Sequence, residues 1–404
     1  MHNFLFKTER ILRPFFYGIL LFVAANFLEK DDYSTLNLIF FLYTLISMVS
    51  TLGIEGVVKR DFRRKDGNFT KYSLEQIFIT RIFVSLAFIL FGYIYLTLVN
   101  ANPNIIFIAL PIFLFQSFEI YEWVLVARNK YKDVVKVRLI STLICCLIKI
   151  LSIIKANYFL FIFSHFIEYL ILTIAYLING HIIFKPKNLK IYFNNEIIWY
   201  FFSTLVIVIL LRVDQLAVGA FLKLENLAVY SMAIYIVQTP VALISHIFIK
   251  DYNLLLRIPN DSEKLKIYYK SYIKKIFYTS FFLWALIFIG SYFVKFIFID
   301  KYQELGLLVR VLSFSIILNS ISLTHAPYWL KNRLSNIVFK LTLLNLLLFL
   351  AVYLIFGRYL QIYEFAAILV VLLIIVNLFT PLIFKSGRCM SRIIYCSILN
   401  REIV

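Results

Sequence analysis

Ionisable residues inside long apolar stretches are the part of this sequence most able to do chemistry. Lys149 and Glu168 lie in two neighbouring apolar segments that a very short loop joins. A charged side chain inside a lipid bilayer is costly unless a partner or water stabilises it. The helical rise places Lys149 about 10 Å and Glu168 about 15 Å from that loop, so the two can meet. We expect either a wetted, cavity-facing site or a purely structural ion pair.

Other apolar segments carry charges of the same kind. Arg212 and Asp214 are two residues apart, and on one helix that spacing points them to different faces. At least one of them then needs a partner from another helix or a cavity, which favours a functional role. Arg81 and Glu119 lie at similar depths in successive segments, where a structural pair is favoured over a site. Arg310 lies near a segment end, where snorkelling is the main expectation and a cavity position the alternative.

The sequence shows no pattern typical of a metal centre or an ATPase. The five histidines form no H-E-x-x-H motif, and no G-x-x-x-x-G-K-[ST] motif is present. No two cysteines form a C-x-x-C pair; they are Cys145, Cys146, Cys389 and Cys396. We therefore expect no metal, no cofactor and no enzymatic activity.

The composition excludes most soluble classes. Hydrophobic residues make up 62% of the 404 residues, and charged residues only 16%. Soluble domains have about half apolar and a quarter charged residues. With 11 Gly and 8 Pro, the chain also lacks the composition of a disordered or linker-rich protein. A polytopic membrane protein remains.

Continuous apolar runs predict an all-α protein of about twelve transmembrane helices. Each run is long enough to cross about 30 Å of hydrocarbon as a helix. The predicted spans are 11–28, 36–57, 74–98, 104–127, 135–156, 158–178, 197–222, 227–249, 276–299, 305–329, 335–356 and 361–384.

The basic residues predict the orientation of these spans. The formal charge is +19, and 30 Lys and Arg residues lie on the side of the N-terminus, against 5 on the other side. This asymmetry places both termini in the cytoplasm. Because the charge is spread over seven segments rather than gathered in one domain, nucleic acid is not an expected partner.

An even division into six and six spans predicts two lobes of the same orientation. The loop 179–196 separates them, so that residues 1–184 form one lobe and 185–404 the other. Parallel repeats of this kind are related by an axis along the membrane normal, and they enclose a central cavity in transporters.

Several stretches resemble one transporter family. They read LRVDQLAVG at 211–219, LAVYSMA at 227–233 and FQSFEIYEW at 115–123, together with Lys149 and Glu168. They are similar to the polysaccharide transporter, or O-antigen flippase, branch of the multidrug/oligosaccharidyl-lipid/polysaccharide (MOP) exporter superfamily. The family has a Gly where this chain has Ala228, a small departure at a turn.

The resemblance implies a MATE-like fold and a flippase in the bacterial cytoplasmic membrane. Its substrate would be an undecaprenyl-diphosphate-linked oligosaccharide for O-antigen or capsule assembly, with membrane lipid, a polysaccharide polymerase and chain-length machinery as partners. Basic residues in the cavity would attract the diphosphate. Glu168 or Asp214 could carry a coupling proton or cation.

Three alternatives remain open from the sequence. A drug or cation antiporter and a peptidoglycan-precursor flippase share the superfamily, although the excess of basic residues argues against the first. A membrane-embedded polymerase or acyltransferase is less favoured. A polymerase needs a sizeable external loop, and the loops predicted outside are very short. An acyltransferase needs a buried histidine at its site, and His165 and His325 are isolated in the sequence.

Overall fold

The computed structural model is helical throughout the part of the chain that it describes, and that part contains no strand. Backbone amides in a bilayer find no water, so apolar segments satisfy them internally as helices. The predicted all-α membrane class is thus confirmed. The described residues are 2–51, 74–98, 102–127, 130–180, 195–258, 263–297, 302, 304–332 and 334–398.

The chain folds as two compact units, Met1–Arg212 and Val213–Val404. The predicted division at residue 185, with six spans in each lobe, stays a prediction.

In its described residues, the first unit has eight α-helices. Within it, α6 packs along α7 and α1, and α4 packs against α7. These contacts bring the charged residues of α1, α6 and α7 together. The helices are α1 (His2–Phe27), α2 (Lys30–Ser50), α3 (Leu74–Leu98), α4 (Ile106–Gln116), α5 (Glu119–Ala127), α6 (Tyr131–Ile154), α7 (Tyr158–Gly180) and α8 (Asn195–Leu210).

The described part of the second unit has nine α-helices. Here α14 packs against α10, α12 and α16. After α16, a π-helical turn (Ile375–Phe379) and a 3₁₀ turn (Thr380–Ile383) lead to the last helix. The helices are α9 (Val213–Phe221), α10 (Leu224–Ile247), α11 (Ile249–Arg257), α12 (Glu263–Gly290), α13 (Val294–Ile297), α14 (Leu305–Lys331), α15 (Ser335–Phe356), α16 (Ile362–Ile374) and α17 (Lys385–Ile398).

Among the described residues, nine helices are long and apolar enough to cross a membrane, or ten if the bent pair α8 and α9 counts as one span. The first predicted span lies in α1, whose described apolar part is the short Phe16–Phe27. The fourth is broken at Ser117 and Phe118, between α4 and α5. The count of twelve spans therefore stays a prediction.

The ninth span lies earlier in the sequence than predicted. Helix α12 begins at Glu263, although residues up to 275 read as a lysine-rich loop. Tyr269, Tyr272, Ile273 and Ile276 are all buried in this stretch. Their spacing of three, four and seven residues is that of one helix face, so the lysines belong to an amphipathic helix.

These buried residues belong to an apolar cluster of the second unit that four helices share. Lys331 closes the adjoining end of α11 by donating to the carbonyl oxygens of Leu255 (3.0 Å) and Ile258 (2.5 Å). We call the apolar cluster the α12 cluster; its members are Ile244, Leu255, Tyr269, Tyr272, Ile273, Ile276, Met390 and Ile394.

Candidate functional site

Glu168 is the acid of a buried group of polar side chains in the first unit. Its side chain is 2% exposed, and its Oε1 lies 3.7 Å from Nη1 of Arg13 on α1. Its Oε2 lies 3.3 Å from Nδ1 of His165, one turn earlier on α7. The packing of α1, α6 and α7 thus brings Arg13 to the carboxylate.

Lys149 contributes a second positive charge from α6. The residue is 1% exposed, and its Nζ lies 3.4 Å from the centroid of the Tyr17 ring. The Phe161 ring lies 5.1 Å from the same atom and the Phe40 ring 6.0 Å. Aromatic faces attract a desolvated ammonium, so these rings stabilise it inside the unit.

The expected direct pair between Lys149 and Glu168 is not among the ion pairs of the described residues, because Arg13 and His165 bind the carboxylate instead. Both residues nevertheless belong to one group, which we call the Lys149 cluster: Arg13, Tyr17, Lys149, His165 and Glu168.

Aromatic residues of α2 enclose the imidazole of this cluster. The His165 ring lies 5.1 Å from Phe40 and 5.7 Å from Tyr43, measured between centroids. The Tyr43 hydroxyl in turn lies 2.7 Å from that of Tyr169, the neighbour of Glu168 on α7. Helix α2 therefore fixes the ring that supports the carboxylate.

The Lys149 cluster carries an excess of positive charge. Among its five members, two are cations, Arg13 and Lys149, and one is a carboxylate, Glu168. The Sγ of Cys145 and ligand atoms of His165 and Glu168 lie within 4.8 Å of one another, as a metal site requires. Two neighbouring cations disfavour a further cation there, so the cluster is better suited to an anion.

A second buried group of charges surrounds Arg81 on α3. Its Nη2 lies 3.6 Å from Oε2 of Glu119, and its guanidinium lies 4.7 Å from the Trp123 ring. Its Nε donates to the carbonyl oxygen of Ser50 (3.1 Å), and its Nη1 donates to that of Ser117 (3.4 Å). Arg81 thus satisfies a carbonyl that the break between α4 and α5 releases.

This group extends to the start of α6. Arg138 lies 3.7 Å from Glu119 and 2.5 Å from Oε2 of Glu122. The Tyr176 hydroxyl donates to the same Glu122 oxygen at 2.8 Å. Two arginines balance two glutamates, so this Arg81 cluster (Arg81, Glu119, Glu122, Arg138 and Tyr176) is neutral. The expected pair between Arg81 and Glu119 is present within a larger network, and its structural rather than functional role stays a prediction.

Asp214 and Arg212 lie at the break in the seventh predicted span. Asp214 is 3% exposed in the first turn of α9, and its Oδ2 accepts a hydrogen bond from Tyr230 at 3.0 Å. Arg212 is 5% exposed, in the turn after α8. The helix is interrupted between Leu210 and Val213, so the two residues do not share one continuous helix, and whether their side chains point in different directions stays a prediction. Their exposure to a cavity stays a prediction.

Arg310 contacts the turn that follows α12. Its guanidinium carbon lies 3.8 Å from the centroid of Tyr292, and its Nε lies 3.4 Å from the Ser291 hydroxyl. These contacts hold Arg310 near the beginning of α14, at a span end as predicted from its position in the sequence. A cavity-facing role for it is untested.

Sequence reasoning missed Arg13 and Arg138 as members of these groups. Both fall near the beginning of predicted spans, 11–28 and 135–156, but they were counted with the basic residues of the cytoplasmic side rather than with the charges inside the spans. Helix α1 begins at His2 and α6 at Tyr131, so both arginines lie inside helices. The available signal was the absence of any helix-breaking residue between Tyr131 and the apolar run that follows it.

The sequence matches a family model described as "Polysaccharide biosynthesis protein" over residues 23–305. Among functionally curated proteins, none matches the chain with significant sequence similarity.

Solved transporter structures share the fold along nearly the whole chain. An inward-facing multidrug resistance MATE family transporter of the MOP superfamily has a TM-score of 0.69 at 14% identity, covering 94% of this chain and 95% of that chain. The lipid II flippase MurJ, in an inward closed conformation, has a TM-score of 0.69 at 15% identity, covering 98% and 92%. A MOP superfamily transporter from Pyrococcus furiosus, described as having a binding pocket of reverse polarity, has a TM-score of 0.52 at 12% identity, covering 98% and 94%.

Proposed function

The chain belongs to the polysaccharide biosynthesis protein family, and on that premise we propose that it is a flippase for a lipid-linked oligosaccharide. The fold it shares with MOP superfamily transporters supports transport rather than catalysis. The substrate we propose is an undecaprenyl-diphosphate-linked repeat unit of a surface polysaccharide. It would cross the bacterial cytoplasmic membrane, with both termini of the protein on the inner side.

The observation that carries the proposal is the net positive charge of the Lys149 cluster. A diphosphate in a bilayer needs cations close by, and a guanidinium also gives it directed hydrogen bonds. Arg13 and Lys149 supply both kinds of group within one unit, beside Glu168, the one carboxylate among the five members of the cluster. A diphosphate is the part of the proposed substrate that meets this need, since the sugars are neutral donors and acceptors and the polyprenyl tail can remain in lipid.

Access to the cluster would come through Arg13. Its side chain is 22% exposed, whereas that of Glu168 is 2% exposed and Lys149 is buried beneath Tyr17. A phosphate would therefore meet the guanidinium first. The Lys149 ammonium would then exchange its contact with the Tyr17 ring for a phosphate oxygen. This exchange replaces a cation–π contact by a stronger charge-assisted hydrogen bond.

The chain would need an external energy source to work against a gradient, because it contains no P-loop motif. We propose that an ion gradient supplies it and that Glu168 or Asp214 carries the coupling charge. Arg310 and Arg212 are proposed as further contacts for the anionic substrate.

The test removes one charge of each sign, those of Lys149 and Glu168, so the net charge of the cluster is unchanged. If these two charges have only a structural role, the variant Lys149→Met with Glu168→Gln should replace them by neutral groups with little harm. We expect this variant to insert and fold normally and to lose export about 10- to 100-fold, as for the loss of a hydrogen bond to a charged group. Export is measured as glycan on the cell surface, and folding as thermal stability of the purified protein.

The matched control is Lys155→Met, which removes an exposed lysine at the end of the same helix. It should export at the wild-type level. Wild-type surface glycan in the double variant would overturn the role of the Lys149 cluster.

A drug or cation antiporter is the second candidate, because multidrug transporters share the fold. An organic cation needs an acidic or aromatic pocket, and the positive excess of the Lys149 cluster disfavours it. Export of a cationic dye by purified protein in vesicles, with no dependence on Lys149, would favour this candidate.

A further inference from the structure

The last helix of the second unit has a basic outer face. Helix α17 follows directly on the last span, and its sequence KSGRCMSRIIYCSI contains no acidic residue. Met390 and Ile394 are buried on its inner face, in the α12 cluster. Lys385, Arg388 and Arg392 are exposed at spacings of three and four residues, so they lie along one outer face.

The preceding residues fix the depth of this helix in the membrane. Phe379 is 58% exposed and Ile383 60% exposed in the turns that end the last span. Large apolar side chains exposed in a span face lipid, so the hydrocarbon edge lies at about Ile383. Lys385 and Arg388 then lie at the level of the lipid headgroups, where basic side chains are most stable.

A close backbone contact holds the start of α17 in place. A Cβ atom on Gly387 would lie 1.9 Å from the carbonyl oxygen of Pro381. Only glycine allows the helix to approach the preceding turn so closely. With Met390 and Ile394 packed in the α12 cluster, the position of Lys385 is set by the fold rather than by a mobile tail.

An open cavity of about 470 Å³ lies beside this helix start, in the second unit. Its walls are mostly apolar, with one cationic side chain. The Oγ of Ser386 is buried and has no hydrogen-bond partner in the described part of the chain, although Ser386 lines the cavity. A buried hydroxyl is usually hydrogen-bonded, so an acceptor on a ligand in this cavity would satisfy it. The lining residues are Tyr328, Ile337, Phe384, Lys385, Ser386 and Cys389.

We propose that this cavity and the basic face of α17 bind an anionic phospholipid of the surrounding leaflet. The phosphate would accept from Lys385 and from the Ser386 hydroxyl, with Arg388 beside it. The first part of an acyl chain would lie against Tyr328, Ile337 and Phe384. Charge complementarity favours an anionic headgroup, since α17 carries three exposed cations and no acid.

The experiment measures lipid binding to the purified full chain in detergent by native mass spectrometry. The probes are phosphatidylglycerol and phosphatidylcholine with identical acyl chains. The wild-type protein should retain phosphatidylglycerol with a clear preference. In Lys385→Gln with Arg388→Gln, that affinity should fall roughly 25-fold, at about fivefold for each basic residue near a headgroup. Binding of phosphatidylcholine should not change.

The matched control is Lys132→Gln with Lys136→Gln, which removes two exposed lysines from α6 of the first unit. It should bind both lipids as the wild type does. A second variant, Ser386→Ala, keeps every charge and should weaken phosphatidylglycerol alone. The proposal is overturned if the wild type binds both lipids equally, or if the control loses as much affinity as the α17 variant. Phosphatidylglycerol binding by the α17 variant at the wild-type affinity would also overturn the proposal. Because the readout is lipid binding, it does not depend on whether the protein flips an oligosaccharide.

Discussion

Two buried groups of charges in the first unit look alike in the sequence and differ in the structure. In the Arg81 cluster, two arginines face two glutamates, and each guanidinium has a carboxylate within 3.7 Å. In the Lys149 cluster, two cations share one glutamate, and aromatic rings surround the ammonium. Moreover, Nε2 of His165 is buried with no hydrogen-bond partner among the described residues.

The comparison separates two uses of charge inside a membrane protein. A neutral network with several cross-links stabilises irregular backbone, here the break at Ser117 in the fourth predicted span. A group with more charges of one sign than of the other can bind a ligand of the opposite charge, although the excess charge lowers the stability of the folded protein. Charge balance and the number of cross-links, rather than burial, distinguish the two groups, because both are buried.

The largest effect should come from breaking the neutral network. Arg81→Met would remove the fully buried cation that pairs with Glu119, and would remove the donors to Ser50 and Ser117. Breaking a buried pair by removing one partner costs about 3–5 kcal/mol. We expect a strongly lowered Tm of the purified protein in detergent, whereas Lys132→Met, an exposed control on α6, should unfold like the wild type. Wild-type stability with lost export would instead place Arg81 in the transport pathway.

A double substitution should give opposite results in the two clusters. Arg81→Met with Glu119→Gln removes one charge of each sign, so the remaining Arg138 and Glu122 still balance. We expect it to recover most of the stability that Arg81→Met loses, and to export glycan. The corresponding double substitution of Lys149 and Glu168 should stay folded without export. If the two double variants have the same stability and the same export, charge balance does not explain the difference between the two clusters.

The smallest effect concerns the ring beneath Lys149. Tyr17→Leu removes a cation–π contact worth about 0.5–2 kcal/mol. We expect a modest loss of thermal stability and a change in export of only a few fold, measured as surface glycan. Tyr17→Phe keeps the ring and is the control, which should match the wild type. A complete loss of export in both variants would show that the hydroxyl, not the ring, is required.

The sequence allowed the class of fold and the proximity of Lys149 and Glu168 to be predicted, because helical rise alone sets their depth. It did not reveal Arg13 as the partner of Glu168, since that contact depends on how α1 packs against α6 and α7. The depth of a residue in the membrane follows from its position in its own helix, whereas the partner of Glu168 depends on how three helices pack.

The sequence patterns also did not predict the breaks within spans. The stretch around Leu211 and Arg212 reads as one continuous apolar helix, yet the helix ends at Leu210 and a new one begins at Val213. Neither Gly nor Pro marks the break. Interrupted helices in a membrane persist where neighbouring groups satisfy the released carbonyls, and periodicity carries no information about those neighbours.

The α12 cluster also constrains the order of events during synthesis. Its members on α10, α11 and α12 leave the ribosome well before Met390 and Ile394. Until α17 has been synthesised, its residues cannot pack against the apolar face of Tyr269, Tyr272 and Ile276. Exposed surface of this kind is what chaperones and proteases of the quality-control system bind. Docking of α17 thus covers this apolar face, and it can occur only after residue 394 has been synthesised.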